Sequence, residues 1–402
     1  MNKPLDGIRV LDVSQFLSGP RCTQILAMMG AQVIKIESPA GDTMRLLMSM
    51  VGSERSMSTL HQNKLGMVID YKSAQGKKVF LDLVAVSDVV IDNFAPGIMD
   101  KMGLGYSVLR EKNPKLIYGA ISGFGLTGPL SDRTAFDIIS QATGGIMYAN
   151  HSEGRPPGVF FGDLVSGAYC ALGVLAALLQ RGKTGEGQLI DVSMQDVMYF
   201  QNFWGFSERA NEAVKEKMEN ILGVPISRLL TDEDRPMPFW NSYKVADGHV
   251  AVVALTDKQW ECLMQVIGRE DLITDPRFSS FVGRIQNSAD GIEAVEGWFT
   301  SRTTAQVVEA LSAKRIPCGA VQDYEDLAGD PQLAHRRMSV AIQHATQGEI
   351  HVPALPIQMS CCDLPVESPA PDLGEHTEKV LREVLKYDDK AIAALKSSGA
   401  VM

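Results

Sequence analysis

Residues 8–37 read IRVLDVSQFLSGPRCTQILAMMGAQVIKIE, and this stretch decides the fold. Ile8–Val13 is a short apolar run, the length of a strand covered on both faces. It ends in the polar loop SQFLSGP. Gly19–Pro20 then opens a helix, because the fixed φ of Pro suits a first turn. Gln32–Glu37 is a second apolar run. A strand, a helix and a strand in this span read as one parallel crossover unit. The alternation continues outward. Met67–Tyr71 is a third strand, Ala74–Ala85 has helical spacing, and Val89–Asn93 and Leu116–Ile121 are further strands. The prediction is an α/β protein with a parallel sheet and helices on its faces. Ligands bind such sheets at the carboxyl ends of the strands. Those ends carry SQFLSGP, ESPAGD, NFAPG and SGFGLTGP, all rich in Gly, Ser and Pro.

Farther along, GKTGEGQLIDVSM is a Gly-rich turn feeding another strand. The character changes from about residue 211, where KEKMEN and TDEDRPMPFW are charged or Pro-bearing. Tyr243–Leu255 reads as a hairpin turning at Asp247–Gly248. Helices are expected around Lys258–Ile267, Gly291–Thr300 and Thr304–Lys314. The predicted organisation is a large domain over 1–216, a small α+β domain over 217–327, and a segment 328–402 that returns to the large domain.

Composition bounds the function. The chain has 402 residues, 45% hydrophobic and 21% charged, which is ordinary for a globular protein. Its net charge is −10, so no nucleic-acid partner is expected. The six cysteines are scattered, and neither they nor the seven histidines have metal-ligand spacing. No metal is expected, and the chain reads as reduced and cytoplasmic. The N-terminal residues MNKPLDGIRVLD lack the apolar core of a secretion signal. Leu164–Gln180 is uncharged, but it is shorter than a usual span and rich in small residues. It reads as a buried helix with no membrane role.

The familiar nucleotide and hydrolase motifs are missing. SQFLSGP lacks G-x-G-x-x-G, GKTGEG lacks the P-loop spacing, and no G-x-S-x-G occurs. Attention falls on Asp163 in PPGVFFGDLVSGAYCALGVLAALLQ. A carboxylate opening such an apolar helix is costly unless paired or employed. Two readings stand. Asp163 caps the helix by accepting backbone N–H bonds, or it is a nucleophile for acyl or phosphoryl groups. Attack on a thioester would give a mixed anhydride. That needs a poorly hydrated carboxylate and nearby N–H donors, and a position beside Gly162 at a helix start suits both needs. Lys35, Arg45, Lys64, Lys72 and Lys101, near early strand ends, are candidates for holding a polyanion.

With these residues in hand, the chain resembles the family III CoA-transferases, the CaiB/BaiF group that includes formyl-CoA transferase, carnitine CoA-transferase and the related α-methylacyl-CoA racemases. The resemblance runs end to end. It rests on KPLDGIRVLD, the SGP loop, GAQVIKIE, NFAPGIMDKMGLGY, NPKLIYGAISGFGLTGP, FGDLVSG, TGEGQLIDVSM and DLGEHTEKVL. It implies a Rossmann-like large domain built from both chain ends, a small α+β domain, and a homodimer of interlocked rings. It implies transfer of CoA from an acyl-CoA thioester to a small carboxylic acid, with no covalently bound cofactor. The family's catalytic aspartate falls on Asp163. Its CoA contacts fall on Phe16, Lys72, Asn93, Phe94, Lys101, Met102 and Met194. Asp137 matches an acidic residue near the site, and Gln15 is a possible supporting contact. The racemase branch carries a His where this chain has Phe136. Formyl-CoA transferase has a Gln where Leu17 stands, and a Gly-rich loop where PMPFWNSY lies. Ser38 replaces a basic CoA contact. These departures argue against racemase chemistry and against oxalate or formate as substrates. The alternatives are an α-methylacyl-CoA racemase or isomerase, and a non-catalytic CoA-ester-binding protein.

Overall fold

The structure is a computed structural model describing residues 3–50, 54–149, 155–202, 216–217, 219–221, 223 and 237–402. The charged stretch 224–236, which the sequence marks as a boundary, lies outside the described residues, as does most of 203–222. The chain divides into two compact units. One comprises residues 1–144, 158–201 and 331–402, and the other comprises 145–157 and 202–330. The sequence expectation put residues 145–157, 202–216 and 328–330 with the large domain, and here they are grouped with the smaller unit.

The larger unit is organised by a six-stranded sheet. Its strands are β1 (Arg9–Asp12), β2 (Gln32–Glu37), β3 (Lys64–Val68), β4 (Val89–Asp92), β5 (Ile117–Ser122) and β6 (Leu189–Ser193). Their order is β3-β2-β1-β4-β5-β6, and every pairing is parallel. This is the doubly wound Rossmann order, whose direction reverses between β1 and β4. Leu11 pairs with Ile34 on one side and Val90 on the other.

Side chains alternate across this sheet, so each strand feeds two cores. Leu11, Ile34, Ile36, Val90 and Tyr118 face one way. They meet Val79, Phe80 and Leu83 of helix Ala74–Ala85, and Val380 and Leu381 of helix Thr377–Glu383. Val10, Val33, Val89, Ile91 and Ile117 face the other way. They meet Cys22 and Leu26 of α1 (Ser18–Met28), and Cys170 and Val174 of the long helix Phe161–Thr184. The last residues join the sheet edge, where Ile69 bridges to Val401.

One strand is displaced from its expected place. The third runs Lys64–Val68 rather than Met67–Tyr71. Its first residue is a lysine that the sequence reading put outside, yet it is buried. Lys64 Nζ meets Asp12 Oδ2 at 3.0 Å and donates to Thr23 Oγ1 at 2.8 Å. Lys35 is also buried. It pairs with Asp42 at 3.0 Å and donates to the Ser14 carbonyl. Arg45 clamps Glu37 through both carboxylate oxygens, at 2.7 and 2.8 Å. The expectation that Lys35, Arg45 and Lys64 hold a polyanion on the rim is therefore corrected. Two of the three are internal charges neutralised by carboxylates, and the third is committed to one.

The smaller unit carries an antiparallel sheet. Trp240–Val245 pairs with Gly248–Val253, which pairs with Cys318–Ala320. The hairpin closes over Ala246–Asp247, one residue earlier than the sequence suggests, because Gly248 already pairs with Val245. Its core includes Tyr243 stacked on Phe299 at 3.9 Å. Buried Arg284 lies over Trp260 and Phe239 and donates to Asp257 at 2.6 Å.

Candidate functional site

The site forms where β1 and β4 end, at the point where the sheet reverses direction. Three strands turn out of the sheet by the same device. An Asp at or just beyond the strand end accepts the backbone N–H two residues on, the local turn that Asp favours. Asp12 accepts from Ser14 N at 3.1 Å, Asp92 from Phe94 N at 2.9 Å, and Asp70 from Lys72 N at 2.9 Å. Burial alone would raise the Asp12 carboxyl. Lys64, Lys35 and the hydroxyls of Ser14 and Thr23 outweigh it and hold the group at about 2. Asp12 is thus an anion that ties β1, β3 and α1 together beneath the loop.

Above that network, the Asn93 amide fixes the Ser14–Leu17 loop. Its Oδ1 accepts from Gln15 N at 2.8 Å, and its Nδ2 donates to the Gln15 carbonyl at 2.7 Å. Nδ2 also donates to Ser18 Oγ at 3.0 Å. Phe16 follows with a φ of 59°, a left-handed conformation that costs a non-glycine residue on the order of 1 kcal/mol. Its ring meets Phe136 edge-on at 5.7 Å.

Asp163 enters this constellation from the long helix Phe161–Thr184. That helix is capped at Phe160 with no side-chain bond, and Asp163 lies inside its first turn. The capping reading is corrected, because Phe160 holds the cap position, Asp163 lies beyond it, and no side chain caps the helix start. The Asp163 N–H donates to Asp137 Oδ1 at 3.1 Å. Asp137 is the first residue of helix Asp137–Thr143 and is 7% exposed. Its Oδ2 accepts from Gln141 Nε2 at 2.5 Å. Gly162 permits this approach: a Cβ there would lie 2.0 Å from Ser140 Oγ. Burial pushes the Asp163 carboxyl up, the charge of Asp137 pushes it further, and the Ser18 hydroxyl opposes them. The group stands at about 7. A half-buried carboxylate of raised basicity is a competent nucleophile or base.

The structure thus brings together Asp163, Asp137, Asn93, Phe16 and Gln15. Phe94 and Met102 pack partly buried against the core on the β4 side. Lys72 stands exposed in the turn after β3, and Lys101 stands exposed at the end of helix Ile98–Lys101. Among the described residues neither is in an ion pair. Met194 is placed differently. It is 4% exposed and packs with Ile121 and Cys170, so it presents no surface to a ligand. Ser18 and Gln141 were not singled out in the sequence. A serine just before Gly-Pro reads as an ordinary helix start, and Gln141 becomes visible only once Asp137 is seen to need a donor. Among the described residues no cluster of His, Cys, Asp or Glu could hold a metal ion.

Residues 5–377 match the family described as CoA-transferase family III. The chain belongs to CoA-transferase family III. It is 33% identical to formyl-CoA:oxalate CoA-transferase of Streptomyces avermitilis, over all of both chains. It is 31% identical to human succinyl-CoA:glutarate CoA-transferase, over 99% of this chain and 90% of that one. A CaiB/BaiF family protein from Brucella suis has a similar structure, with TM-score 0.80 and 31% identity over 96% of this chain and 100% of that chain. For a family III CoA-transferase, acyl-CoA thioesters are substrates.

Proposed function

We propose that this CoA-transferase works through covalent catalysis at Asp163. The observation that carries the reading is a carboxylate raised to about 7 by burial and by Asp137, on a residue whose backbone N–H donates to Asp137 near the sheet's switch point. The carboxylate attacks the donor's thioester carbonyl, and the carbon–sulfur bond breaks to release CoA thiolate. The product is a mixed anhydride. The thiolate then attacks the Asp163 carbonyl, giving an aspartyl-CoA thioester and freeing the donor acid. The acceptor carboxylate attacks that thioester and expels the thiolate. Return of the thiolate to the acceptor's carbonyl yields the new acyl-CoA and restores Asp163. No step needs a net proton transfer, so the cycle needs no base beside the nucleophile. This agrees with Phe136 standing where a racemase would place one.

Phe16, Asn93, Phe94, Met102, Lys72 and Lys101 are the candidate CoA contacts in this reading. All lie in or just after the turns at the carboxyl ends of strands in one parallel sheet, where α/β proteins bind ligands. The donor and acceptor are an acyl-CoA and a small carboxylic acid, and the working form is a homodimer.

The test is incubation with succinyl-CoA and a panel of acids that includes glutarate and oxalate, followed by mass spectrometry. New acyl-CoA thioesters and an Asp163-linked CoA adduct are expected. Asp163→Asn removes the nucleophile and should lower kcat by several orders of magnitude. Retention of more than about a tenth of the activity would reject Asp163 as the nucleophile.

A further inference from the structure

We propose that Asn93 is a positioning residue for the reaction: it holds Gln15 by both backbone groups and so fixes Phe16, whose ring braces Phe136 beside Asp137 and Asp163. The inference rests on the covalent reading of Asp163. It begins with the loop after β1, whose backbone is held by side chains. Ser14 N–H donates to Asp12 Oδ1 at 3.1 Å, and the Ser14 carbonyl accepts from Lys35 Nζ. Gln15 N–H donates to Asn93 Oδ1 at 2.8 Å, and the Gln15 carbonyl accepts from Asn93 Nδ2 at 2.7 Å. Phe16 N–H points at Asp42 Oδ1, 3.4 Å away. The Asn93 amide cannot be reversed, because that would set oxygen against oxygen and N–H against N–H. Its second N–H goes to Ser18 Oγ at 3.0 Å. An amide has two N–H donors, and both are committed inside the protein. Asn93 therefore has no N–H left for a CoA ester, and its part in the site is to hold the loop.

The effect of that hold is felt at Phe16. Its φ of 59° is left-handed, a conformation that a non-glycine residue keeps only where its surroundings impose it. The loop is also tightly curled, since a Cβ on Gly19 would lie 2.1 Å from Ser14 Cβ. So fixed, the Phe16 ring stands edge-on to Phe136, with centroids 5.7 Å and planes 82° apart. Phe136 caps helix Asp137–Thr143, and Asp137 Oδ1 takes the Asp163 N–H at 3.1 Å. A continuous chain of contacts thus runs from Asn93 through Gln15, Phe16, Phe136 and Asp137 to Asp163. Without Asn93, Phe16 is free to leave the left-handed conformation and withdraw its ring, and the start of the Asp137 helix loses its brace.

The experiment uses Asn93→Ala, the near-isosteric Asn93→Asp, which keeps the acceptor and loses both donors, and Phe16→Gly. Glycine takes the left-handed conformation without strain but has no ring. Hydrogen exchange at the Gln15 amide is read in the substrate-free protein, and kcat and KM are read with succinyl-CoA. Asn93→Ala should speed that exchange by about tenfold or more and lower kcat by about 10- to 100-fold, the cost of a small misplacement. Its KM for succinyl-CoA should stay close to wild type. Asn93→Asp should lower kcat as well, because an oxygen then faces the Gln15 carbonyl. Adding Asn93→Ala to Phe16→Gly should cost little more, since the hold has nothing left to act on. A wild-type kcat in either folded Asn93 variant overturns the proposal. So does a rise in KM alone, which a direct CoA contact would give, or losses in kcat that multiply in the double variant. If Asn93→Ala does not fold, Asn93→Asp decides alone. Full activity in Asp163→Asn would sink the covalent reading whatever the Asn93 variants do. A dead Asp163→Asn beside fully active Asn93 variants would sink only the role of Asn93.

Discussion

Asp163 is a residue whose local environment opposes its charge, and this has a consequence for stability. Its folded pKa is about 7, against an ordinary value of 3.8. A raised carboxyl means the folded state binds the proton more tightly than the unfolded chain. Below the ordinary value both states are protonated and nothing is lost. As pH rises toward 7 the unfolded chain ionises first, and stability falls. Above 7 the penalty is complete. Asp163→Asn keeps the shape of the side chain and removes the charge. It should therefore stabilise the protein above pH 7, by something on the order of 2 kcal/mol after allowance for partial solvation. Near pH 4 it should change little. Thermal unfolding at both pH values checks this, and equal melting shifts at the two would contradict the assigned cause. A variant both inactive and more stable is the signature of a group kept for its chemistry.

At the scale of elements, what the sequence disclosed follows from what periodicity can encode. Short apolar runs between Gly-Pro punctuation located five strands of the parallel sheet and the helices Ser18–Met28 and Ala74–Ala85. The same rule misplaced β3, because Lys64 looks like a surface residue until Asp12 is found beside it. Lys35 misled in the same way. A buried ion pair between residues 52 apart in sequence leaves no local trace in the chain. Asp163 stands out in the sequence as a carboxylate opening an apolar helix, and Asp137 through the resemblance, whereas Ser18 leaves no local sign, since its bond to Asn93 reaches across from another strand. Contact between two elements carries its own prediction. Gly167→Ala places a Cβ 2.3 Å from a backbone carbonyl and 2.8 Å from Arg21 Cβ, so α1 and the long helix must part. Alanine's helix propensity returns about 1 kcal/mol, while overpacking at a rigid contact costs about 1–3 kcal/mol or more. The variant should melt lower and also lose activity, because Asp163 lies on the same helix one turn before the forced contact. A Gly167→Ala protein as stable as wild type would mean the two helices can separate freely.

For the molecule as a whole, the long helix raises the question of what covers it. Helix Phe161–Thr184 is long and apolar enough to cross a membrane by length and composition. In a single chain Leu172 is 60% exposed and Leu179 74%, and Phe200 on the following helix Met194–Gln201 is 68% exposed. Burying each such side chain is worth about 1.5–3 kcal/mol, a strong incentive to find a partner. Lipid is a poor candidate. The helix's other face packs Cys170, Val174 and Ala177 onto the sheet, and its first turn holds Asp163 against Asp137. A second copy of the chain fits better, and the family resemblance implies rings that interlock. Interlocked chains cannot part without unfolding, so dilution should not release a folded monomer. Sedimentation at nanomolar concentration should show a dimer of 43.7 kDa subunits and no lighter species. Flotation with lipid vesicles should leave the protein at the bottom of the gradient. A folded monomer on dilution would remove the interlock. Flotation with the vesicles would hand the exposed leucines to the membrane instead, since a face already covered by a second chain has nothing left to insert.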